Sequence, residues 1–465
     1  MAHLLISAAH KSSGKTTVSI GLAAALSRRG HAIQTFKKGP DFIDPMWLSR
    51  ATGQPCFNLD YYTMNESEIL TTFARHDEAA EISLIEGNKG LYDGLDLEGG
   101  NSNAALASLL GAPVVLVIDA RGMTRGIAPL LLGYQAFEPD LNITGVILNK
   151  VGGTRHEGKL RAIIEHYTDL KMLGAIHRDP RLEIPERHLG LMPSNEAPEA
   201  DAKIDDICDL IATQVDLNAL IEIAKTANPP EMSPPPLAVP ALADVKIGIA
   251  RDSAFGFYYP DDLVALETAG AELVAVDLTV DTKLPEIDGL FVGGGFPETR
   301  MDILEGNSTM RMAIKEAIED GLPTYAECGG LMYLARSLTW RGETRQMADI
   351  IPGDIIMHDA PQGRGYVRLQ ETGDGLWPSG GCANGDDIPA HEFHYSSLEN
   401  LDGIPTYAYK VLRGHGIDGR HDGLVMHNLL ACYAHFRDVQ ANHWARRFVE
   451  FVRQHKNTTH TVESR

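Results

Sequence analysis

Six prolines fall within the first fifteen residues of TANPPEMSPPPLAVPALAD (226–244). Proline lacks the backbone N–H and fixes φ, so neither a helix nor a central strand runs through this stretch, and it reads as an extended linker. It cuts the 465-residue chain into two halves, each of a size that one hydrophobic core can serve. The expected organisation is a first domain over 1–225, the linker, a second domain over 245–455, and a polar, disordered tail over 456–465. At 44% hydrophobic and 22% charged residues the halves read as globular. No apolar run reaches the roughly 18 residues of a membrane span, and the N-terminus shows no signal-peptide pattern. A net charge of −22 disfavours nucleic acid or an anionic membrane as the main partner. The five cysteines (56, 208, 328, 382 and 432) are scattered with no CxxC pair. That argues against a disulfide framework or zinc ribbon and for a reduced, cytoplasmic protein.

The first half opens on HLLISAAHKSSGKTTVSIGL (3–22), which reads as strand, loop and helix. Small residues let the backbone N–H groups of Ser13, Gly14 and their neighbours face a phosphate chain, with the positive end of the helix behind them. Lys15 would reach the terminal phosphates and the Thr16 hydroxyl would hold Mg²⁺, with Thr17 completing the run. Ala9 stands where the usual phosphate-loop pattern has glycine. A second strand ends in Lys37-Lys38-Gly39-Pro40, followed by Asp41 and Asp44. ISLIEGNKGLYDG (82–94) puts Glu86 at a strand tip, then Lys89 and Asp93 on a glycine-punctuated loop. Strand ends are where a doubly wound sheet binds its ligand, so Asp41 and Glu86 are candidate Mg²⁺ ligands. APVVLVIDARG (112–122) ends near Arg121 and Arg125, and ITGVILNKVGG (143–153) ends in Asn149-Lys150, a purine-pocket signal or a plain turn. Helical stretches at 103–110, 126–136, 156–169 and 202–225 alternate with these strands, the pattern of a parallel α/β sheet.

The second half restarts an α/β pattern at 245–251. In GLPTYAECGGLMYLA (321–335) a strand runs into Cys328-Gly329-Gly330 and then a helix, the layout of a nucleophile elbow in which the helix N-terminus favours the thiolate. Gly293, Gly294 and Gly295 close another strand and, with Gly329, are candidate N–H donors to an oxyanion. His435, after the apolar run of LLACYAHFRD (429–438), is the candidate base. His391 and His394 lack a third ligand of suitable spacing and are not read as a metal site.

SSGKTT (12–17), KKGPDFIDP (37–45), EGNKGLYDG (86–94), GGGFPE (293–298), AECGGLMYL (326–334), HEFHYS (391–396) and YAHF (433–436), in that order, resemble the cobyrinic acid a,c-diamide synthase family. The resemblance implies an α/β protein of two doubly wound domains: an N-terminal phosphate-loop domain similar to dethiobiotin synthetase and a C-terminal class I glutamine amidotransferase-like domain. It implies that Cys328 and His435 take L-glutamine apart, that Thr16, Asp41 and Glu86 hold Mg²⁺ beside ATP, and that Asp44 and Asp93 serve nucleotide and substrate. The expected reaction is amidation, through an acyl phosphate, of carboxylates on an anionic tetrapyrrole, with ammonia passing along a path shielded from water. Lys38, Lys89, Arg121 and Arg125, at strand ends on the side of Lys15, are the expected cations for that substrate. Ordinary class I amidotransferases carry a glutamate two residues past the histidine; here that place is Arg437, which leaves the third member of the catalytic group open. Asn88-Lys89 stands where cobyrinate enzymes have small or apolar residues, and a sirohaem amidase of dissimilatory sulfur metabolism matches equally well. A reading of another class is a phosphate-loop ATPase switch or metal-centre chaperone with a degenerate C-terminal module. It predicts ATP turnover without glutaminase activity and leaves Cys328 and His435 unexplained. A cysteine hydrolase fused to a nucleotide sensor would not need the acids at 41, 44 and 86. A homodimer is compatible with the sequence, which does not fix the oligomeric state.

Overall fold

The structure is a computed structural model that describes residues 2–187, 190–230, 242–378 and 387–463. The middle of the expected linker (231–241) and the end of the expected tail (464–465) lie outside the described residues. The chain divides into two compact units, 1–235 and 236–465, and the division falls inside the proline-rich stretch.

In the first unit, strands β1 (Ala2–Ala8), β2 (Ile33–Lys38), β3 (Phe57–Leu59), β4 (Ile82–Glu86), β5 (Val114–Asp119), β6 (Ile143–Val151) and β7 (Lys171–His177) alternate with helices. The helices are α1 (Lys15–Arg28), α2 (Ile43–Thr52), α3 (Glu66–Asp77), α4 (Asn103–Leu110), α5 (Ile127–Phe137) and α6 (Thr154–Tyr167). A short hairpin, β8 (Glu186–Arg187) and β9 (Gly190–Leu191), precedes α7 (Ala200–Gln214) and α8 (Leu217–Ala224). The main sheet has the order β3-β2-β4-β1-β5-β6-β7, and every pairing is parallel. Helices cover both faces of such a sheet, which is why Leu4, Leu5, Ile6 and the run Val114, Val115, Leu116 and Val117 are all fully buried. The chain order reverses across β1, with β4 on one side and β5 on the other. The loop after β1 therefore sits at the switch point where ligands of open α/β sheets bind. The stretch 202–225 forms two helices rather than one. Val215 makes a bridge to Gly174, and the Asp216 side chain caps α8 through Ala219 N at 2.9 Å. α7 lies hard against α1: a Cβ on Gly21 would sit 2.3 Å from Ile211 Cγ1, so only glycine fits there.

The second unit begins with β10 (Val245–Ala250), β11 (Phe255–Phe257), α9 (Pro260–Thr268), β12 (Ala271–Val276), β13 (Gly289–Val292) and β14 (Gly294–Gly295). α10 (Met301–Gly306), α11 (Ser308–Glu319), β15 (Thr324–Glu327) and α12 (Gly329–Leu334) follow. The strands β16 (Ala335–Trp340), β17 (Glu343–Gln346), β18 (Ile351–Met357), β19 (Gly363–Glu371), β20 (Ile388–His394), β21 (Ser396–Glu399), β22 (Thr406–Arg413), β23 (His421–Met426) and β24 (Leu429–Cys432) lead into α13 (Trp444–Glu463). Nine strands form one sheet in the order β12-β10-β13-β15-β24-β23-β22-β19-β20. Its pairings from β12 to β24 are parallel and those from β24 to β20 antiparallel. The doubly wound half was legible from the sequence; the antiparallel extension was not. Trp444, Ala445, Phe448, Val449 and Val452 recur at helical spacing and are fully buried, which docks α13 on the core. Where a polar tail was expected from residue 456, the helix continues to Glu463. No proline or glycine interrupts 455–463, and Lys456 Nζ donates to Asp244 O (2.7 Å) and Asp288 Oδ2 (2.9 Å), tying the turn down.

Candidate active site

In the first unit the loop after β1 turns through left-handed residues, Ser12 at φ 65° and Gly14 at φ 84°. Gly14 meets two demands, since a Cβ there would also lie 2.1 Å from Asn149 Nδ2. No side chain caps α1, which leaves its first-turn N–H groups and positive dipole end for an anion. Ser13 Oγ donates to His10 O (2.8 Å) and stiffens the loop. Asn149 Nδ2 donates to Ser13 O (2.8 Å), so the candidate purine residue braces the loop. Thr17 follows Thr16 in the first turn of α1.

Behind the loop, the ends of β2 and β4 and the start of α2 bring acids and ammonium groups together. Thr16 Oγ1 donates to Glu86 Oε1 (2.7 Å) and Asp44 Oδ2 (3.1 Å). Glu86 Oε1 also receives Lys15 Nζ (3.1 Å) and Lys37 Nζ (3.2 Å). Lys37 hydrogen-bonds Asp44 and lies 3.7 Å from Asp41 Oδ2, while Asp41 Oδ1 accepts Asp44 N (3.1 Å). Lys37 was not among the candidate site residues, yet it is 2% exposed at the centre of this cluster. Burial acts to lower its pKa, but the charges of Asp44, Glu86 and Asp41 more than offset that and hold it well above the ordinary lysine value. Burial and the neighbouring Asp44 push the Asp41 carboxyl up to about 7, against Lys37. Asp44 goes the other way: burial is outweighed by Lys37 and Lys15. Glu86 Oε2 is buried with no hydrogen-bond partner. A hydroxyl and carboxylates around an unpartnered buried oxygen form a donor set suited to Mg²⁺, which commonly takes one or two carboxylates and completes its octahedron with phosphate and water. Among the described residues no three His, Cys, Asp or Glu side chains are gathered as a metal cage.

The expected substrate cations separate. Lys38 is buried, and its Nζ donates to Asn88 Oδ1 (3.3 Å). Burial first, with Lys89 and Lys37 assisting against Asp60, pushes it down to about 8. Lys89 is exposed on the following loop at φ 41°, and Asp93 Oδ2 accepts Gly90 N (2.9 Å) in that loop. Arg121 instead folds back on Asp119, its NH2 2.7 Å from Oδ2, and Arg125 NH2 donates to Tyr167 Oη (3.0 Å). Strand-end position does not fix where a long side chain points, and each arginine has a partner within reach.

In the second unit Cys328 adopts φ 47° and ψ −99°, a strained conformation for a residue with a Cβ. The elbow is held by Cys328 N donating to Cys432 O (2.7 Å). Burial would lower the His435 pKa, but the nearby Cys328 and Glu327 side chains push it up to about 10. The candidate oxyanion glycines converge here. A Cβ on Gly294 would lie 2.6 Å from His435 Cε1, and one on Gly329 would lie 2.9 Å from Gly295 N. Every backbone N–H from 433 to 436 has a named acceptor: Asp422 Oδ1 for Tyr433 and Oδ2 for Ala434 (2.9 Å each), His391 O for His435 (2.8 Å), and Glu327 Oε1 for Phe436 (3.0 Å). Sequence reading missed Glu327, whose Oε2 lies 3.1 Å from His435 Nδ1. The available signal was an acid closing an apolar strand directly before the nucleophile. Arg437 turns away from the pair, its NH2 2.8 Å from Asp261 Oδ2 and its guanidinium over the Tyr259 ring. His391 stacks on His435 at 4.9 Å, whereas His394 stacks on Tyr433.

Known proteins match both units. Residues 5–191 match the CobQ/CobB/MinD/ParA nucleotide binding domain, and residues 246–442 the CobB/CobQ-like glutamine amidotransferase domain. The chain is 45% identical over 457 residues to the cobyrinate a,c-diamide synthase of Magnetococcus marinus, covering 97% of each chain. It is 41% identical to that of Methanosarcina acetivorans, covering 96% of this chain and 94% of the other. It is 40% identical to that of Archaeoglobus fulgidus, covering 94% of each. With a nucleotide-binding unit, an amidotransferase unit and near full-length identity of this order, the chain belongs to the cobyrinate a,c-diamide synthase family.

Proposed function

We propose that this glutamine-dependent amide ligase uses ATP and Mg²⁺ to amidate peripheral carboxylates of cobyrinate, an anionic tetrapyrrole, as a step of cobalamin biosynthesis in the cytoplasm. The observation that carries the reading is the buried Cys328–His435 pair at a strained elbow, on the same chain as a phosphate loop backed by Lys15, Lys37 and Glu86. In the second unit the Cys328 thiolate attacks the side-chain carbonyl of glutamine, and N–H groups at Gly294, Gly295 and Gly329 receive the oxyanion. Collapse expels ammonia, which takes its proton from His435, and water hydrolyses the remaining thioester to glutamate. In the first unit a carboxylate is too poor an electrophile for ammonia, so it is first activated as an acyl phosphate. Ser13, Gly14 and Thr17 frame the phosphate chain and Lys15 follows the transferring group. Thr16, Asp41 and Glu86, with Asp44 beside them, would hold Mg²⁺, which would supply charge neutralisation at the phosphates. Lys38, Lys89 and Asp93 lie on the side of the substrate. The test is amide formation on cobyrinate with glutamine, ATP and Mg²⁺, with sirohaem run in parallel. Amidation of sirohaem in preference to cobyrinate would move the chain to the other macrocycle, and ATP turnover with no amide on either would overturn the reading.

A further inference from the structure

The carboxylate that steadies the catalytic histidine sits beside the nucleophile rather than beyond the histidine. We propose that Glu327 is the positioning residue of the Cys328–His435 pair, holding the imidazole by Nδ1 so that Nε2 serves the thiol.

The geometry is specific to this strand end. Consecutive residues of a strand point to opposite faces, so a carboxylate and a nucleophile side by side in sequence would ordinarily face apart. The φ of 47° at Cys328 breaks that alternation, and the two neighbours engage one imidazole. Glu327 Oε2 is 3.1 Å from Nδ1, which leaves Nε2 as the ring nitrogen to serve the thiol of the neighbouring Cys328. The carboxylate is itself fixed in advance: its other oxygen accepts Tyr325 Oη (2.5 Å) and Phe436 N (3.0 Å). Both side chains are 4% exposed, so little water screens the charge of Glu327 from the imidazole. The other ionisable groups around His435 do not offer this contact. His391 stacks on the ring, and burial together with His435 and Arg437 keeps it well below the usual imidazole range and so neutral. Arg437 is committed to Asp261.

Glu327 acts through His435 and touches no reacting atom. The thiol proton passes to Nε2, giving thiolate and imidazolium, and Glu327 stabilises the cation through Nδ1–H, which does not transfer. When the tetrahedral intermediate collapses, the C–N pair leaves with nitrogen and the Nε2 proton completes ammonia. Loss of the carboxylate removes the preference for this tautomer and the counter-charge of the imidazolium.

The inference rests on the glutaminase reading, and the experiment separates the two. In Glu327→Gln the amide keeps the shape and the acceptor for Phe436 N but carries no charge. Glutamate release should fall about 100-fold or more in kcat, with the glutamine KM within about threefold. The pH midpoint of Cys328 alkylation by iodoacetamide should rise, because the thiolate loses its imidazolium partner. Amidation from ammonium salt should persist, and Glu327→Asp should recover part of the glutaminase rate. A Glu327→Gln variant within about threefold of wild type, with an unchanged alkylation midpoint, would overturn the assignment and leave Glu327 as a brace for Phe436. Should that variant not fold, ¹⁵N-histidine-labelled wild-type protein decides: a downfield Nδ1–H resonance that disappears in His435→Ala supports the contact, and its absence overturns it. If the wild type releases no glutamate at all, the amidotransferase reading falls first.

Discussion

The two chemical centres hold charge in opposite ways. In the first unit Lys15, Lys37, Asp41, Asp44 and Glu86 share a few ångströms, and the ammonium groups bond to the carboxylates. Those pairs are exchangeable. Lys15 would be available to phosphate oxygens, and Glu86, whose second oxygen has no hydrogen-bond partner, would be available to a cation. In the second unit one line runs from Glu327 through His435 to Cys328, with each member buried and the imidazole fixed by the carboxylate. A site that neutralises a large moving charge needs spare partners, whereas one that moves a single proton needs a fixed path.

The largest expected effect breaks one centre and spares the other. Cys328→Ala should abolish glutamine-dependent amidation and leave amidation from ammonium salt, because the thiol serves only to release ammonia. Equal loss from both nitrogen sources would show that the two centres are not chemically separate. The reciprocal variants, Lys15→Ala and Glu86→Gln, should lose amidation from both sources. A charge-assisted contact to a transferring phosphoryl group is worth on the order of 3 kcal/mol, about 100-fold in kcat. Near-normal rates with either variant would remove that residue from the phosphate site.

What the sequence disclosed follows the same division. The phosphate loop was legible because its residues are contiguous, and Cys328 because strand, cysteine, two glycines and helix are local too. Glu327 was not, since its partner lies 108 residues away and only the fold brings β15 beside β24. Lys37 read as lying at a strand end, and it does, but the whole of that strand, IQTFKK, is buried. A lysine there requires carboxylates around it, a signal that needs burial to be known first. Arg121 and Arg125 show the converse: strand-end placement is legible, but their contacts to Asp119 and Tyr167 are not. The antiparallel half of the second sheet pairs mostly strands that follow one another, β19 with β20, β22 with β23 and β23 with β24, but its order turns on the one longer-range pairing of β19 with β22, which no local motif announces.

A smaller effect concerns Lys38, which burial first, with Lys89 and Lys37 assisting against Asp60, pushes down to about 8. Below that pH it is a cation able to meet a substrate carboxylate; as pH rises through it the charge is lost. The KM for the macrocycle should therefore rise by roughly tenfold across this range. Lys38→Met should show the high KM at every pH. A wild-type KM flat from pH 7 to 9, an interval of roughly one unit either side of the midpoint, would place Lys38 outside the substrate site.

The smallest effect tests the least familiar residue. Lys89 is exposed, on a loop whose base is fixed by Asn103 Nδ2 donating to Asn88 O (2.5 Å) and Gly90 O (2.8 Å). The backbone around it is thus held while the side chain remains free to meet a ligand. An exposed cation is screened by water and salt, so Lys89→Ala should raise the macrocycle KM only about threefold to fivefold, and less as ionic strength rises. The ATP KM should not move, because Lys15 and Lys37, not Lys89, contact Glu86 behind the phosphate loop. Running cobyrinate and sirohaem side by side sharpens the test. A larger loss for one macrocycle identifies the carboxylate pattern that Lys89 reads. A shift in the ATP KM instead would assign Lys89 to the nucleotide, and no shift in either would show that the loop's departure from the cobyrinate pattern has no bearing on which macrocycle is bound.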